Sequence, residues 1–182
     1  MTTLLHPEQV QEVDLGRVEL PPLPLGPQGV RAAQATFVSD IPFDSDRIGA
    51  AAVYCSDGRY GDQIDEFLHR GLGFPRYDRV AVPGGAAALA EHMIAMRERA
   101  ALERQVKFLV EAHGLRRVVL IAHQDCAFYG LVRIRSGSLE QQQVEDLARA
   151  ADRIRGFAPG LAVDGYFALK MAGRVWFEPV PC

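Results

Sequence analysis

The chain lacks what several function classes require. No apolar run approaches the roughly 20 residues a helix needs to cross a bilayer. The first residues, Met1 to Gln11, carry neither a basic start nor a long apolar stretch, so a secretory signal is not expected. Cysteine is scarce, with three in 182 residues and no Cys-x-x-Cys pair. That spacing is not a disulfide framework and gives little support to a dithiol redox motif; a reducing compartment, and so a cytoplasmic location, is the expectation. An excess of one charge is missing as well: 20 Lys and Arg stand against 23 Asp and Glu, for a net charge of −3. This gives no electrostatic case for nucleic acid or an anionic membrane as partner. No internal repeat is visible.

What is present is ordinary globular composition, 48% hydrophobic and 24% charged, in a length that fits one domain. Residues 1–46 are weakly patterned. The stretch Pro21-Pro22-Leu23-Pro24-Leu25-Gly26-Pro27 cannot be a helix interior, so 1–46 reads as an extended N-terminal arm, either mobile or docked through its leucines on a partner subunit. Residues 47–182 read as the folded domain. Ile48 to Tyr54 is a short apolar run that fits a strand buried on both faces. Asp62 to Arg70 has helical spacing at Ile64, Phe67 and Leu68. Tyr77 to Pro83 is a second strand, followed by Gly84-Gly85. Ala86 to Gly114 reads as a long helical stretch with a break near Arg97 and a C-terminal cap at Gly114. Val118 to Ala122 is a third buried strand, and Leu139 to Ile154 a further helix. Tyr166 to Leu169 and Arg174 to Phe177 look like a terminal hairpin, or a strand with a turn, that extends the sheet. The order strand, helix, strand, helix, strand predicts an α/β domain with a central, mainly parallel sheet flanked by helices.

Two segments carry chemistry. Cys55-Ser56-Asp57-Gly58-Arg59 follows the first strand, and His123-Gln124-Asp125-Cys126 follows the third. Ligands in such sheets bind outside the carboxyl ends of the strands, which is where Cys55, His123, Cys126 and the Gly84-Gly85 loop all fall. Two thiolates and an imidazole suit tetrahedral zinc and leave one position for water. Two thiolates neutralise Zn²⁺ formally, so bound water ionises less readily than at a three-histidine site. A neighbouring acid and cation then become useful, and Asp57 and Arg59 are in place to be that pair.

The pattern Cys-x-Asp-x-Arg, a long gap, then His-x-x-Cys resembles the β-class carbonic anhydrases. The resemblance runs from about Ile48 to Phe128, and Val163-Asp164-Gly165-Tyr166 with Ala172-Gly173-Arg174-Val175 looks like that family's last strands. It implies zinc held by Cys55, His123 and Cys126, and zinc-bound hydroxide that hydrates carbon dioxide reversibly to bicarbonate, a lyase activity. It implies that Asp57 accepts a hydrogen bond from the zinc-bound water or hydroxide while Arg59 keeps Asp57 ionised and oriented. In some members the aspartate becomes the fourth zinc ligand. It also implies a homodimer or a higher even-numbered assembly. Gly84 and Gly85 read either as a strand-to-helix turn or as residues near the substrate.

The sequence departs from the family pattern in two places. Ala127, Phe128 and Tyr129 stand where small glycines are common, and Ala81-Val82-Pro83-Gly84-Gly85 replaces a more polar loop. A narrower, more apolar pocket suits carbonyl sulfide or carbon disulfide, so hydrolysis of either is the alternative. A non-catalytic module stapled by zinc is the third reading. Asp125 reads as a turn residue or an outer partner of the site, not a catalyst, and Phe128 and Tyr129 as packing ahead of pocket lining. His6, His69, His92 and His113 read as surface or helix residues, the Arg97, Glu98, Arg99, Glu103, Arg104 cluster as a solvated helix face, and Cys182 as exposed and incidental.

Overall fold

Apolar runs with small residues build the centre of the sheet. In the computed structural model, which describes residues 37–133 and 137–182, β1 is Ala50–Cys55, β2 Asp78–Val82, β3 Arg117–His123, β4 Ala162–Met171 and β5 Arg174–Val180. They form one sheet in the order β2-β1-β3-β4-β5. The first three pairings are parallel and β4·β5 is antiparallel, so the expected mainly parallel sheet with a terminal hairpin is present. That hairpin turns on Ala172 and Gly173, with φ of 50° and 74°, the left-handed pair that a two-residue turn between twisted strands requires.

Every residue of β1 is buried, because both faces of the sheet are covered. Ala51 and Val53, with Val118 and Leu120 of β3, face one core, which also takes Leu89, Leu102, Val106, Leu147 and Ile154. Ala50, Ala52 and Tyr54, with Val119 and Ile121, face the other, closed by Ile64, Leu68 and Tyr77. Two helices cover the first face. They are α2, Met96–His113, ended by Gly114 at a left-handed φ of 67° as expected, and α3, Leu139–Phe157. Ser138 caps α3 by accepting from Gln141 N at 3.1 Å. The second face is covered by α1, Gly61–Glu66, which runs into a single π turn at Phe67–Gly71. Phe67 stacks on Phe177 of β5 with ring centroids 4.2 Å apart.

The stretch between β2 and α2 differs from expectation. In place of one long helix broken near Arg97, there are two 3₁₀ segments, Gly85–Ala90 and Met93–Ala95, before α2 begins at Met96. The break sits at Glu91, at a left-handed φ of 63°. Residues 86–90 are all buried against β1 and α3. Their position is set by the need to cover the end of β1, which outweighs the helix preference of alanine and leucine.

No helix among the described residues is long and apolar enough to cross a membrane. The chain divides into two units, Met1–Ser45 and Asp46–Cys182. Residues 37–45 of the first contain no helix or strand. Most of the expected arm, including its proline-rich stretch, lies outside the described residues.

Candidate metal centre

The two motifs meet at the carboxyl edge of the sheet. β1 ends on Cys55, and Ser56 N continues the ladder for one more bond, to Val82 O at 3.1 Å. Asp57 then caps a short 3₁₀ turn, Gly58–Tyr60, accepting from Arg59 N at 3.1 Å. The Arg59 side chain folds back on the same carboxylate. Its Nε lies 2.9 and 3.1 Å from the two oxygens, and a terminal nitrogen 2.5 Å from Oδ2. This fork-to-fork hydrogen bonding holds the Asp57 carboxyl down to about 2, against the opposing effect of burial. The Asp57 side chain is 18% exposed and that of Arg59 66%, so the pair lies at the rim of the site.

β3 ends on His123. Gln124 N continues the ladder to Ala168 O at 2.9 Å. Asp125 adopts a left-handed φ of 57°, and this reversal brings Cys126 back beside His123. Asp125, exposed, pairs with Lys170, and Gln124 Oε1 accepts from Lys170 N at 3.0 Å. The Gln124 carbonyl takes two donors: Tyr60 OH and His123 Nδ1, each at 2.9 Å. Tyr60 also lies against the imidazole, with ring centroids 4.3 Å apart. The residue after Arg59 therefore orients the histidine of the second motif.

The Sγ atoms of Cys55 and Cys126 are 3.7 Å apart, and one ligand atom from each of Cys55, His123 and Cys126 falls within 4.8 Å of the others. Tetrahedral zinc with sulfur at roughly 2.3 Å requires an S···S separation of roughly 3.8 Å, so the sulfurs fit. His123 Nε2 is buried and has no hydrogen-bond partner, while Nδ1 is engaged by the Gln124 carbonyl. That bond places the ring hydrogen on Nδ1 and leaves the Nε2 lone pair for a metal. The two thiols share a proton. The Cys126 S–H hydrogen bond, helped by the neighbouring His123 imidazole and then by the Gly84 and Asp57 amides, pulls Cys55 down against burial, and the Cys55 thiolate with burial pushes Cys126 up. A cation between the sulfurs removes that competition by holding both as thiolates.

Gly84 and Gly85 lie against Cys55. Gly84 N donates to Cys55 Sγ at 3.4 Å. Gly85, at φ 58°, approaches so closely that a Cβ would sit 2.9 Å from Cys55 N and from the Tyr54 carbonyl carbon. Gly85 is thus needed for close backbone approach at the end of β1, while Gly84 leaves room for the Phe128 ring. Ala87, Tyr129 and Val132, buried, and Phe128, partly buried, pack around the two cysteines.

Spacing brought the three ligands and the Asp57–Arg59 pair into view, and the structure brings all five to one edge. It gave no sign of Tyr60, Gln124 or Lys170, whose partners lie 45 to 64 residues away. His92 is also unlike its expectation. It is 5% exposed and bonds the buried Asp146, where a surface or helix position was expected. Cys182 is half-buried, its sulfur filling the space beside Gly165, and not simply exposed. Within the supposed solvated helix face, Glu103 pairs with Arg153 at 2.9 Å and Arg99 with Glu91 at 3.5 Å.

No curated protein matches the chain. Among solved structures, it is similar to the β-carbonic anhydrase isoform I of the protozoan Trichomonas vaginalis (12% identity, 77% of this chain and 87% of that one, TM-score 0.49). It is also similar to a β-carbonic anhydrase of Aspergillus fumigatus (15%, 72% and 76%, TM-score 0.38). A third likeness is to a tetrameric β-carbonic anhydrase of Sordaria macrospora (17%, 76% and 83%, TM-score 0.42). The family model described as "Putative carbonic anhydrase" matches residues 46–175. That span contains β1 through β4, both motifs and the glycine loop between them, and by it the chain belongs to that carbonic anhydrase family.

Proposed function

We propose that the protein is a zinc-dependent carbonic anhydrase that interconverts carbon dioxide and bicarbonate, with zinc held by Cys55, His123 and Cys126. The observation that carries this reading is the buried, unpartnered His123 Nε2 beside two sulfurs 3.7 Å apart. Zinc bound there supplies the Lewis acidity that makes water nucleophilic toward carbon dioxide near neutral pH.

The chain's own residues do the rest. Gln124 O fixes the tautomer and tilt of His123. Gly84 N–H stabilises the Cys55 thiolate against the cost of its burial. Asp57, held ionised by Arg59, can only accept a hydrogen bond, so it orients the attacking water through one proton and leaves a lone pair for the carbon. The Asp57 carboxylate is turned to Arg59 and is not one of the clustered metal-binding groups, which favours a fourth position open to water over a purely structural staple. The family supports a homodimer or larger even-numbered assembly, and a thiolate site suits a reducing compartment.

A second reading, hydrolysis of carbonyl sulfide or carbon disulfide, is favoured by one observation. A Cβ on Gly84 would fall 2.4 Å from the Phe128 ring, so that ring closes on the glycine loop beside Cys55. Stopped-flow hydration with one zinc per chain tests the first reading: a rate above buffer at pH 7 to 9 that Asp57→Asn abolishes is expected. A rate equal to buffer over that range refutes it, and hydrogen sulfide release from either gas then identifies the second. Light scattering checks the assembly, with a monomer as the contrary result.

A further inference from the structure

Asp146 lies on α3, away from both motifs, and is 1% exposed. A helix face that needs only to cover a sheet is expected to be apolar, and the later turns of α3 are, at Leu147, Ala150, Ala151 and Ile154. The earlier turns bury Gln142, Gln143 and Asp146 instead. Burying a carboxyl is costly unless its oxygens are hydrogen-bonded, and here both are. Oδ2 takes His92 Nε2 and, at 3.1 Å, Tyr129 OH. Oδ1 takes Gln142 Nε2 at 2.9 Å and an Arg149 guanidinium nitrogen at 3.0 Å.

The two donors on Oδ2 come from the two loops that touch the sulfurs. Tyr129 belongs to the 3₁₀ turn Ala127–Gly130 that starts directly after Cys126, and its own N–H donates to Cys126 O at 3.0 Å. Its ring is 3% exposed and packs in the cluster containing both cysteines. His92 ends the segment that begins at Gly84, whose N–H reaches Cys55 Sγ. A four-residue 3₁₀ turn has weak hydrogen bonds and little stiffness of its own, and the turn after Cys126 has no side-chain cap. The tie on the Tyr129 side chain therefore adds to the turn's backbone bonds and packing in fixing its place.

We propose that Asp146, acting through Tyr129 and His92, is a positioning residue that holds the Cys126 turn and the glycine loop at the spacing the metal needs. This rests on the metal reading of Cys55, His123 and Cys126. Outer partners of metal ligands commonly change affinity by 10–100-fold. Asp146 acts one step further out, so a loss of about 3–10-fold is expected from Tyr129→Phe, which removes only the hydroxyl.

Cobalt(II) serves as the probe, because its visible bands report coordination geometry independently of catalysis. Wild type, Tyr129→Phe, Asp146→Asn and Asp146→Leu are titrated with cobalt, and zinc affinity is measured by chelator competition. Thermal unfolding of the metal-free proteins runs in parallel. Tyr129→Phe and Asp146→Leu should weaken metal binding and alter the visible bands, and Asp146→Asn, which keeps an acceptor oxygen, should recover most of the wild-type spectrum. Tyr77→Phe is the control. Its hydroxyl bonds Asp65 on the other face of the sheet, and its loss should lower thermal stability with metal affinity unchanged.

Unchanged affinity and spectrum in folded Tyr129→Phe would overturn the proposal and leave the network a fold-stabilising one. Failure of the wild type to take up cobalt or zinc at all would instead refute the metal reading beneath it.

Discussion

Substituting Gly85 by alanine tests whether the glycine loop is built by contact with the end of β1. Gly85 sits at φ 58°, and the added Cβ would lie 2.9 Å from Cys55 N and from the Tyr54 carbonyl carbon, both backbone atoms of the central strand. The left-handed conformation costs alanine about 1–2 kcal/mol. Forcing an extra carbon into a packed site costs about 1–3 kcal/mol more, because β1 is paired on both sides and cannot retreat. The smaller entropy of the unfolded alanine chain offsets about 0.4–1 kcal/mol. A net loss of roughly 1–5 kcal/mol, centred near about 3, follows from these three effects. Gly73→Ala is the comparison, since Gly73 has a φ of 74° with nothing within 4 Å of the added carbon; it should lose only about 1 kcal/mol. Urea unfolding of the metal-free proteins reads both, with an unchanged slope showing that the compactness of the end states is the same. A Gly85→Ala loss within about 0.5 kcal/mol of the Gly73→Ala loss would show that contact with β1 contributes nothing, and the account of the loop would be wrong.

Three further outcomes follow from the site and its surroundings. Arg59→Gln should reduce carbon dioxide hydration by at least about 10-fold with little change in unfolding free energy, because Arg59 is exposed and such pairs add little to stability; a wild-type rate would remove Arg59 from the mechanism. Burial pushes the Asp65 carboxyl up, but hydrogen bonds from Arg79 and Tyr77 outweigh it, and the group lies below its ordinary 3.8. A lowered carboxyl stabilises the fold above its unfolded value and loses that contribution as pH falls through the folded one. Urea unfolding from pH 5 downward should therefore show a shallower acid decline for Asp65→Asn than for wild type, and parallel curves would count against the ion pair. Stripping zinc with a chelator should lower the melting temperature, since a ligand at 100 times its dissociation constant stabilises by about 2.7 kcal/mol; calorimetry showing equal melting with and without zinc would mean that the folded state does not bind it.

The strands were legible because burial on both faces demands unbroken apolar runs, and Ala50-Ala51-Ala52-Val53 and Val118 to Ala122 have no other good explanation. The ligands were legible because each motif directly follows such a run. The break at Glu91 was not, because Ala86 to Ala90 is good helix sequence and only the space beside β1 decides otherwise. His92 looked like one more residue of a helical stretch, and its partner Asp146 lies 54 residues away. Tyr60 stood in plain view next to Arg59, but nothing local tells that its hydroxyl serves the histidine 63 residues on, through the Gln124 carbonyl. Pairings of this kind are fixed by topology, which periodicity cannot reach.

The two sulfurs that approach within 3.7 Å are separated by 71 residues. His123 and Cys126 share one turn and can meet a metal while the rest of the chain is still open, but Cys55 joins them only after β1 and β3 have paired. Bridging the sulfurs closes a loop whose length-dependent entropy is roughly 4 kcal/mol for 71 residues. A metal present during folding therefore rewards the slowest, most non-local pairing of the sheet, and a metal added to finished protein finds that cost already met. Refolding with zinc from the outset and refolding with zinc supplied afterwards should then differ in rate while ending in the same state.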